Sequence, residues 1–228
     1  MRIEPEVGDA NIVLLGRFNP RIFRPDWFAR TGLASTAEAE AAQVQIIHAE
    51  ISQFKMGWVQ IQVEPQRFVA RTEEAPFIRL SDLVVRTFRE FLMHTPVGRL
   101  GINREVHFRV GDQATRNRIG QLLVPREPWG EWGKLIDAGS IENHGGMRTL
   151  VMEQRNLDDR KIGHIQAKIE PSVKLRLDGI FMAINDHYET EKPDDVVGCD
   201  EMISILEQQF ESSIRRAEWI IDQIMALK

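Results

Sequence analysis

Cysteine is nearly absent from this chain. Cys199 stands alone among 228 residues, which excludes an internal disulfide framework and fits a reducing compartment. Long hydrophobic runs are missing too. None approaches the ~20 apolar residues that a membrane helix needs, so no membrane association is expected. The N-terminal MRIEPEVGDA is acidic and lacks an apolar stretch, which predicts no secretory signal and a cytoplasmic protein. The sequence holds no phosphate loop, no nucleophile elbow, no GxGxxG and no Cys/His set at metal-ligand spacing. By motif it therefore names no catalytic residue, no metal ligand and no cofactor, and it leans away from an enzyme.

What the chain does contain is ordinary for a folded protein. Hydrophobic residues make up 43% and charged residues 28%, with a net charge of −5. That mild acidity does not favour wholesale binding of nucleic acid or anionic membrane. The length suits one domain over 1–228, with lobes 1–111 and 112–228 as the alternative division.

Alternation of apolar and polar residues is the dominant pattern. GWVQIQVEPQRFVART and VGRLGINREVHFRV flank one helical segment between residues 57 and 110. Period two over such stretches predicts strands with one buried and one wetted face. Residues 58–63 and 67–72 are expected to pair as a hairpin around Pro65 and Gln66. That register sets Val63 against Phe68, Ile61 against Ala70, Glu64 against Arg67 and Gln60 against Arg71. In the later strand, Leu100, Ile102, Val106, Phe108 and Val110 share one face. Arg99, Asn103, Glu105, His107 and Arg109 share the other.

Elsewhere, 11–18 reads as a buried strand, Asn19-Pro20 as a helical turn, and Ser35 with Glu38 as a capping box. Residues 44–54 are expected to be extended. Ser81-Asp82 is expected to open a helix ended by Pro96, and Asp112 to cap another. VPREPWGEWG is expected to be a connector packed by Trp129 and Trp132. Residues 148–155 and 162–170 read as a second hairpin, and 173–188 as a long strand bent at Gly179. From 200 to 227, Ile203, Leu206, Phe210, Ile214, Ala217, Ile221 and Ile224 recur by threes and fours, which predicts a long amphipathic helix. Strands that do not alternate regularly with helices predict an α+β fold: mostly antiparallel sheet from two hairpin-containing halves, packed by helices, with a long C-terminal helix.

Charge is unevenly spread. The stretch from Arg86 to Arg126 carries a local +5, and that from Asp186 to Lys228 carries −7. Either the two regions attract each other or are simply two solvated faces, or the basic one meets an acidic partner. Within it, Arg99, Asn103, Arg104, His107 and Arg109 form the candidate binding set. Arg104 is the anomaly, because alternation puts it on the apolar face between Ile102 and Val106. A buried arginine must be paired or hydrogen-bonded. It either escapes at a bulge or sheet edge, or it joins the other four in an anion or partner site.

Other candidates carry less. Asp178, Asp186, His187 and Glu189 offer metal-ligating types, but strand geometry points Asp186 away from His187 and Glu189. His144 lies in a glycine loop, ENHGG, where a ligand could approach the backbone. Cys199 sits near the start of the last helix, where a thiol pKa can fall.

The segments FNPRIFRPDWF, GWVQIQVEPQRFVART, TPVGRLGINREVHFRV and IEPSVKLRLDGIFMAINDHYE together resemble a sporadically distributed family of bacterial hypothetical proteins of about this length. The resemblance implies a bacterial, soluble, single-chain protein and brings no activity or functional residue with it. The first functional expectation is a non-enzymatic protein-interaction or assembly subunit, acting on a protein partner or on itself through a sheet face and the C-terminal helix. The alternatives are a hydrolase with a polar site near His187 or His144, and a nucleic-acid binder through the Arg86–Arg126 region.

Overall fold

The computed structural model describes residues 3–136, 138, 140 and 145–228. The alternating stretch folds as anticipated. Strands β4 (Val59–Glu64) and β5 (Arg67–Thr72) pair with Val63 opposite Phe68, Ile61 opposite Ala70, Gln60 opposite Arg71 and Glu64 opposite Arg67. The buried partners Ile61, Val63, Phe68 and Ala70 all face one side, so a one-residue slip would expose them to water.

This hairpin belongs to a single nine-stranded sheet with every recorded pairing antiparallel. The other strands are β1 (Val7–Gly16), β2 (Gln43–Ile47), β3 (Ser52–Met56), β6 (Val97–Arg109), β7 (Leu150–Gln154), β8 (Gly163–Pro171) and β9 (Gly179–Glu189). Their order is β2-β3-β4-β5-β1-β6-β9-β8-β7. The expected α+β architecture with a long C-terminal helix is therefore the observed one.

Among the described residues six α-helices accompany the sheet: α1 (Pro25–Arg30), α2 (Thr36–Glu40), α3 (Ile78–Arg86), α4 (Gln113–Leu123), α5 (Gly130–Leu135) and α6 (Asp200–Met225). Of these, α1, α3, α4 and α6 bury side chains against one of its faces. The Ser35–Glu38 capping box opens α2, and Asp112 caps α4 by accepting from Thr115 N at 2.7 Å. Helix α6 buries Met202, Ile203, Leu206, Phe210, Ala217, Ile221 and Met225. Its stripe spans two apolar clusters on the same sheet face. One gathers Phe23, Phe28, Phe54, Phe68 and Phe88; the other gathers Phe108, Ile119, Ile165, Ile180 and Met182.

Four local expectations need correction. Helix α3 starts at Ile78, before Ser81, because Leu80 as well as Leu83 and Val84 is needed to fill the core; it continues as a π-helical turn over Thr87–Phe91. Residues 173–178 turn instead of extending, and β9 begins at Gly179, where a Cβ would press on Leu175 and Ser172. Trp129 and Trp132 pack no connector: they stand 53% and 59% exposed. The first strand starts at Val7, ahead of Asn11, because Gly8 and Ala10 continue its buried face beneath Val106 and Arg104.

Between the two clusters lies a buried ionic network. Asp186 accepts from Arg160 Nη1 at 2.5 Å and from Arg216 Nη1 at 2.8 Å, while Asp159 accepts from Arg216 Nη2 at 2.7 Å and Arg160 Nε at 2.8 Å. The Arg160 guanidinium stacks over the Tyr188 ring at 3.6 Å, and the Tyr188 hydroxyl meets Ser213 Oγ at 3.0 Å. Asp186 is thus a structural anion, fully engaged on the helix-covered face.

Candidate functional site

Among the described residues no α-helix crosses the centre of the sheet's second face, and a continuous row of polar side chains runs across it. One line of directly opposed residues crosses every strand: Gln43, Lys55, Gln60, Arg71, Asn11, Asn103, Asn185, Gln166 and Glu153. Three asparagines occupy its centre, on β1, β6 and β9. Asn103 Nδ2 donates to Asn11 Oδ1 at 2.8 Å, and Asn11 Nδ2 donates to Asp9 Oδ1 at 3.3 Å. Asn185 Oδ1 is buried and accepts no hydrogen bond. A buried acceptor left without a donor costs free energy on the order of 1–3 kcal/mol, so such atoms are rare in folded proteins.

Beside this line the sheet is hollow. Gly101 sits opposite Val13 on one side and His187 on the other. A Cβ there would lie 3.2 Å from Asn185 Oδ1 and 3.4 Å from Asn103 Nδ2. The absent side chain leaves both amides facing an open depression of about 340 Å³, rimmed by Arg67, Arg99, Glu105 and His187.

The rim charges are mostly paired. Arg99 bonds Glu189 at 3.1 Å and Asp194 at 3.0 Å. Arg71 forms a short ion pair with Asp9 and a looser one with Glu105 at 3.6 Å. Burial, with Glu105 beside it, still pushes the Asp9 carboxyl above its ordinary range against the pull of Arg71. Arg67 has no ion pair among the described residues and is exposed. His187 Nε2 lies 3.4 Å from Glu189 Oε2, and its ring tilts on that of His164 at 4.7 Å. Burial lowers the His187 pKa, outweighing the Glu189 contact that would raise it, so the imidazole is neutral at pH 7.

Of the five residues in the candidate binding set, the fold brings only Arg99 and Asn103 to this depression. His107 shares their face but is buried, with Nδ1 2.8 Å from Ser172 Oγ and its ring 4.8 Å from that of Phe181. Arg109 sits at the strand end, bonded to Asp178 at 2.8 Å. Arg104 lies on the opposite, helix-covered face, buried in the middle of the sheet with no bulge and no edge nearby. Gly8 makes room for it: a Cβ at Gly8 would come within 2.8 Å of Arg104 Nη1. The guanidinium donates to Asp9 O at 2.9 Å and Glu105 O at 3.2 Å, stacks on Phe77 at 4.7 Å, and approaches Glu218 at 3.8 Å. These contacts hold the guanidinium on the helix-covered side, so it does not join the other four.

The remaining candidates separate as strand geometry dictates. Asp186 faces the helices, His187 and Glu189 the open side, and Asp178 is taken by Arg109. Among the described residues no three His, Cys, Asp or Glu side chains are placed to hold a metal. Residues 141–144, and with them His144, lie outside the described residues. Cys199 does stand at the start of α6, but burial and Asp200 push its thiol up to about 11. The depression's lining contains no Ser, Thr or Cys.

The basic and acidic stretches meet each other. Arg89 bonds Glu207 at 2.8 Å, Arg99 bonds Glu189 and Asp194, and Arg104 approaches Glu218. Mutual attraction is the reading that the fold adopts at these positions.

Asn11, Asn185, Gly101 and Arg67 escaped the sequence reading. Asn11 opens an apolar run and Asn185 lies in a strand, and nothing local marks either as special. Only the pairing of β1, β6 and β9, residues far apart in the chain, sets the three asparagines in line.

Fold and site together define a one-sided α+β sheet protein: helices pack on one face, and the other carries a row of polar and charged side chains beside an open depression. No protein-family model and no curated protein matches the chain. Among the described residues no helix is long and apolar enough to cross a membrane.

Proposed function

We propose that this chain is a non-enzymatic interaction subunit whose open sheet face docks a polar protein surface without net charge. The observation that carries this reading is the amide centre beside Gly101: two asparagine side chains line a depression, one of them holding a buried acceptor that no described residue satisfies. A partner that donates a hydrogen bond there removes that cost on binding. Arginines and carboxylates on this face alternate and pair, so the surface offers hydrogen bonds in place of a field of one sign. That matches the backbone and amide groups of a protein better than a polyphosphate chain. The hydrolase alternative at His187 has a neutral imidazole in its favour, but no hydroxyl or thiol nucleophile lines the depression.

The sheet edge supports a second mode of association. Strand β2 is exposed along its whole length, pairs among the described residues with β3 alone, and presents Val44, Ile46 and Ile47 to solvent. A free edge with apolar side chains and no proline or lysine invites strand addition, and a second copy offers the same edge in return.

The test uses Asn185→Ala. The reading expects the partner recovered with wild-type protein to be lost with this variant, while the melting temperature is unchanged or raised because an unpaired buried acceptor is gone. A variant that melts markedly lower yet retains the partner contradicts it.

A further inference from the structure

A second group of polar side chains lies away from the open-face depression, between α4 and the start of β7. Arg116 and Arg148 line one cavity of about 100 Å³ together with Asn117, Gly145 and Gly146. Arg116 donates to Asn117 Oδ1 through Nε at 3.3 Å and Nη2 at 2.9 Å. This fixes the orientation of the Asn117 amide, whose Nδ2 is buried and has no acceptor. Neither arginine has an ion pair among the described residues. The one carboxylate in the lining, Glu170, is already held by Lys168 at 2.8 Å and Thr149 at 2.9 Å. Asp178, the other nearby acid, is bonded to Arg109. Burial and the neighbouring Arg148 accordingly push the Arg116 pKa below that of an ordinary arginine, though it stays charged.

Two uncompensated cations and one orphaned N–H around a single cavity are donors waiting for an anion. The space is roughly that of three water molecules, which suits a phosphate-sized group. It continues into a second hollow of about 230 Å³, sharing Gly120, Gly146, Met147 and Arg148. Trp129 and Trp132 line that hollow, mostly exposed, with ring centroids 5.4 Å apart. Exposed tryptophans supply flat apolar area to a ring at little conformational cost.

We infer that Arg116, Arg148 and Asn117 Nδ2 bind the phosphate of a small organic phosphate whose flat ring lies against Trp129 and Trp132, a mononucleotide being the simplest such compound. This inference is independent of the open-face reading, which uses other residues.

The experiment is calorimetric titration of the full chain with AMP, phenyl phosphate, inorganic phosphate and adenosine, with tryptophan fluorescence as a second readout. AMP and phenyl phosphate should bind saturably at one site and quench fluorescence. Inorganic phosphate should bind roughly ten-fold more weakly, the usual worth of one aromatic stack. Adenosine should bind at least as weakly, lacking the charged group. Arg148 and Trp132 are exposed, so their variants should melt like the wild type. Arg148→Ala should weaken AMP about ten-fold or more, and Trp132→Ala should remove the advantage of AMP over phosphate. Absence of saturable AMP binding at millimolar concentration overturns the inference. So does AMP affinity that is unchanged in Arg148→Ala, or adenosine binding as tightly as AMP.

Discussion

Asp186 accepts hydrogen bonds from Arg160 and Arg216 at once, at 2.5 Å and 2.8 Å, on the face of the sheet where nearly every other inward residue is apolar. The Arg160 and Asp186 side chains are 6% and 2% exposed, so neither can find water if its partner is removed. Removing one partner of a buried ion pair typically costs about 3–5 kcal/mol; here Asp159 remains as the one carboxylate on Arg160, and Arg216 loses its Asp186 contact as well. Asp186→Ala should therefore lower the melting temperature by roughly 10 °C for a chain of this size. Calorimetry or a thermal circular-dichroism melt measures this, and a shift of a degree or two would mean the network is not closed to solvent.

The same network sets an acid limit. The guanidinium groups of Arg160 and Arg216 hold the Asp159 carboxyl down at about 2, from an ordinary 3.8. A folded-state pKa below the unfolded one gives stability that is present above about pH 4 and lost as pH falls through the folded value near 2. Asp159→Asn should thus be less stable than wild type at neutral pH. Denaturant unfolding between pH 5 and pH 2 should show that gap closing as acid is added.

Phe210 fixes α6 to the sheet. It is 1% exposed, near the middle of the helix's buried stripe. Phe210→Ala should cost about 3–5 kcal/mol in denaturant unfolding. An unaltered midpoint would contradict the assignment of this stripe to the chain's own core.

Cys199 should be inert in the native state. With its thiol pushed up to about 11, only on the order of a thousandth is thiolate at pH 8. A thiol reagent should label it slowly in the folded protein and rapidly in denaturant. Fast native labelling would show that its burial at the head of α6 is not maintained.

Weak nucleic-acid binding follows from the pairing of arginines with the acidic C-terminal stretch. Random oligonucleotides should bind no tighter than ~10⁻⁵ M at physiological salt, as ordinary non-specific binders do. Anisotropy titration checks this, and sub-micromolar affinity lost on joint Arg99→Ala and Arg109→Ala would favour a nucleic-acid module.

What the sequence made legible was local. Period-two alternation gave the β4–β5 register residue by residue, because burial of Ile61, Val63, Phe68 and Ala70 allows no other. The three-four spacing gave the stripe of α6 for the same reason. Arg104 could be assigned to the apolar face but not explained, since the space it needs comes from Gly8, more than ninety positions away. The depression was half legible. Arg99 and Asn103 were named, but the asparagine line depends on β1, β6 and β9 becoming neighbours. Trp129 and Trp132 stay open because neither enters an apolar cluster, and nothing in their local sequence distinguishes them from tryptophans that pack.

The central claim is that the open face around Gly101 meets a protein partner. A photo-crosslinking residue placed at Asn103 in the producing cells tests it most directly, with one at the exposed Glu211 on the helix side as control. The account predicts a single protein adduct from the Asn103 probe, lost when Asn185→Ala is added, and none from Glu211. A protein adduct from Glu211 alone, or an Asn103 probe that reaches only nucleic acid, would contradict it.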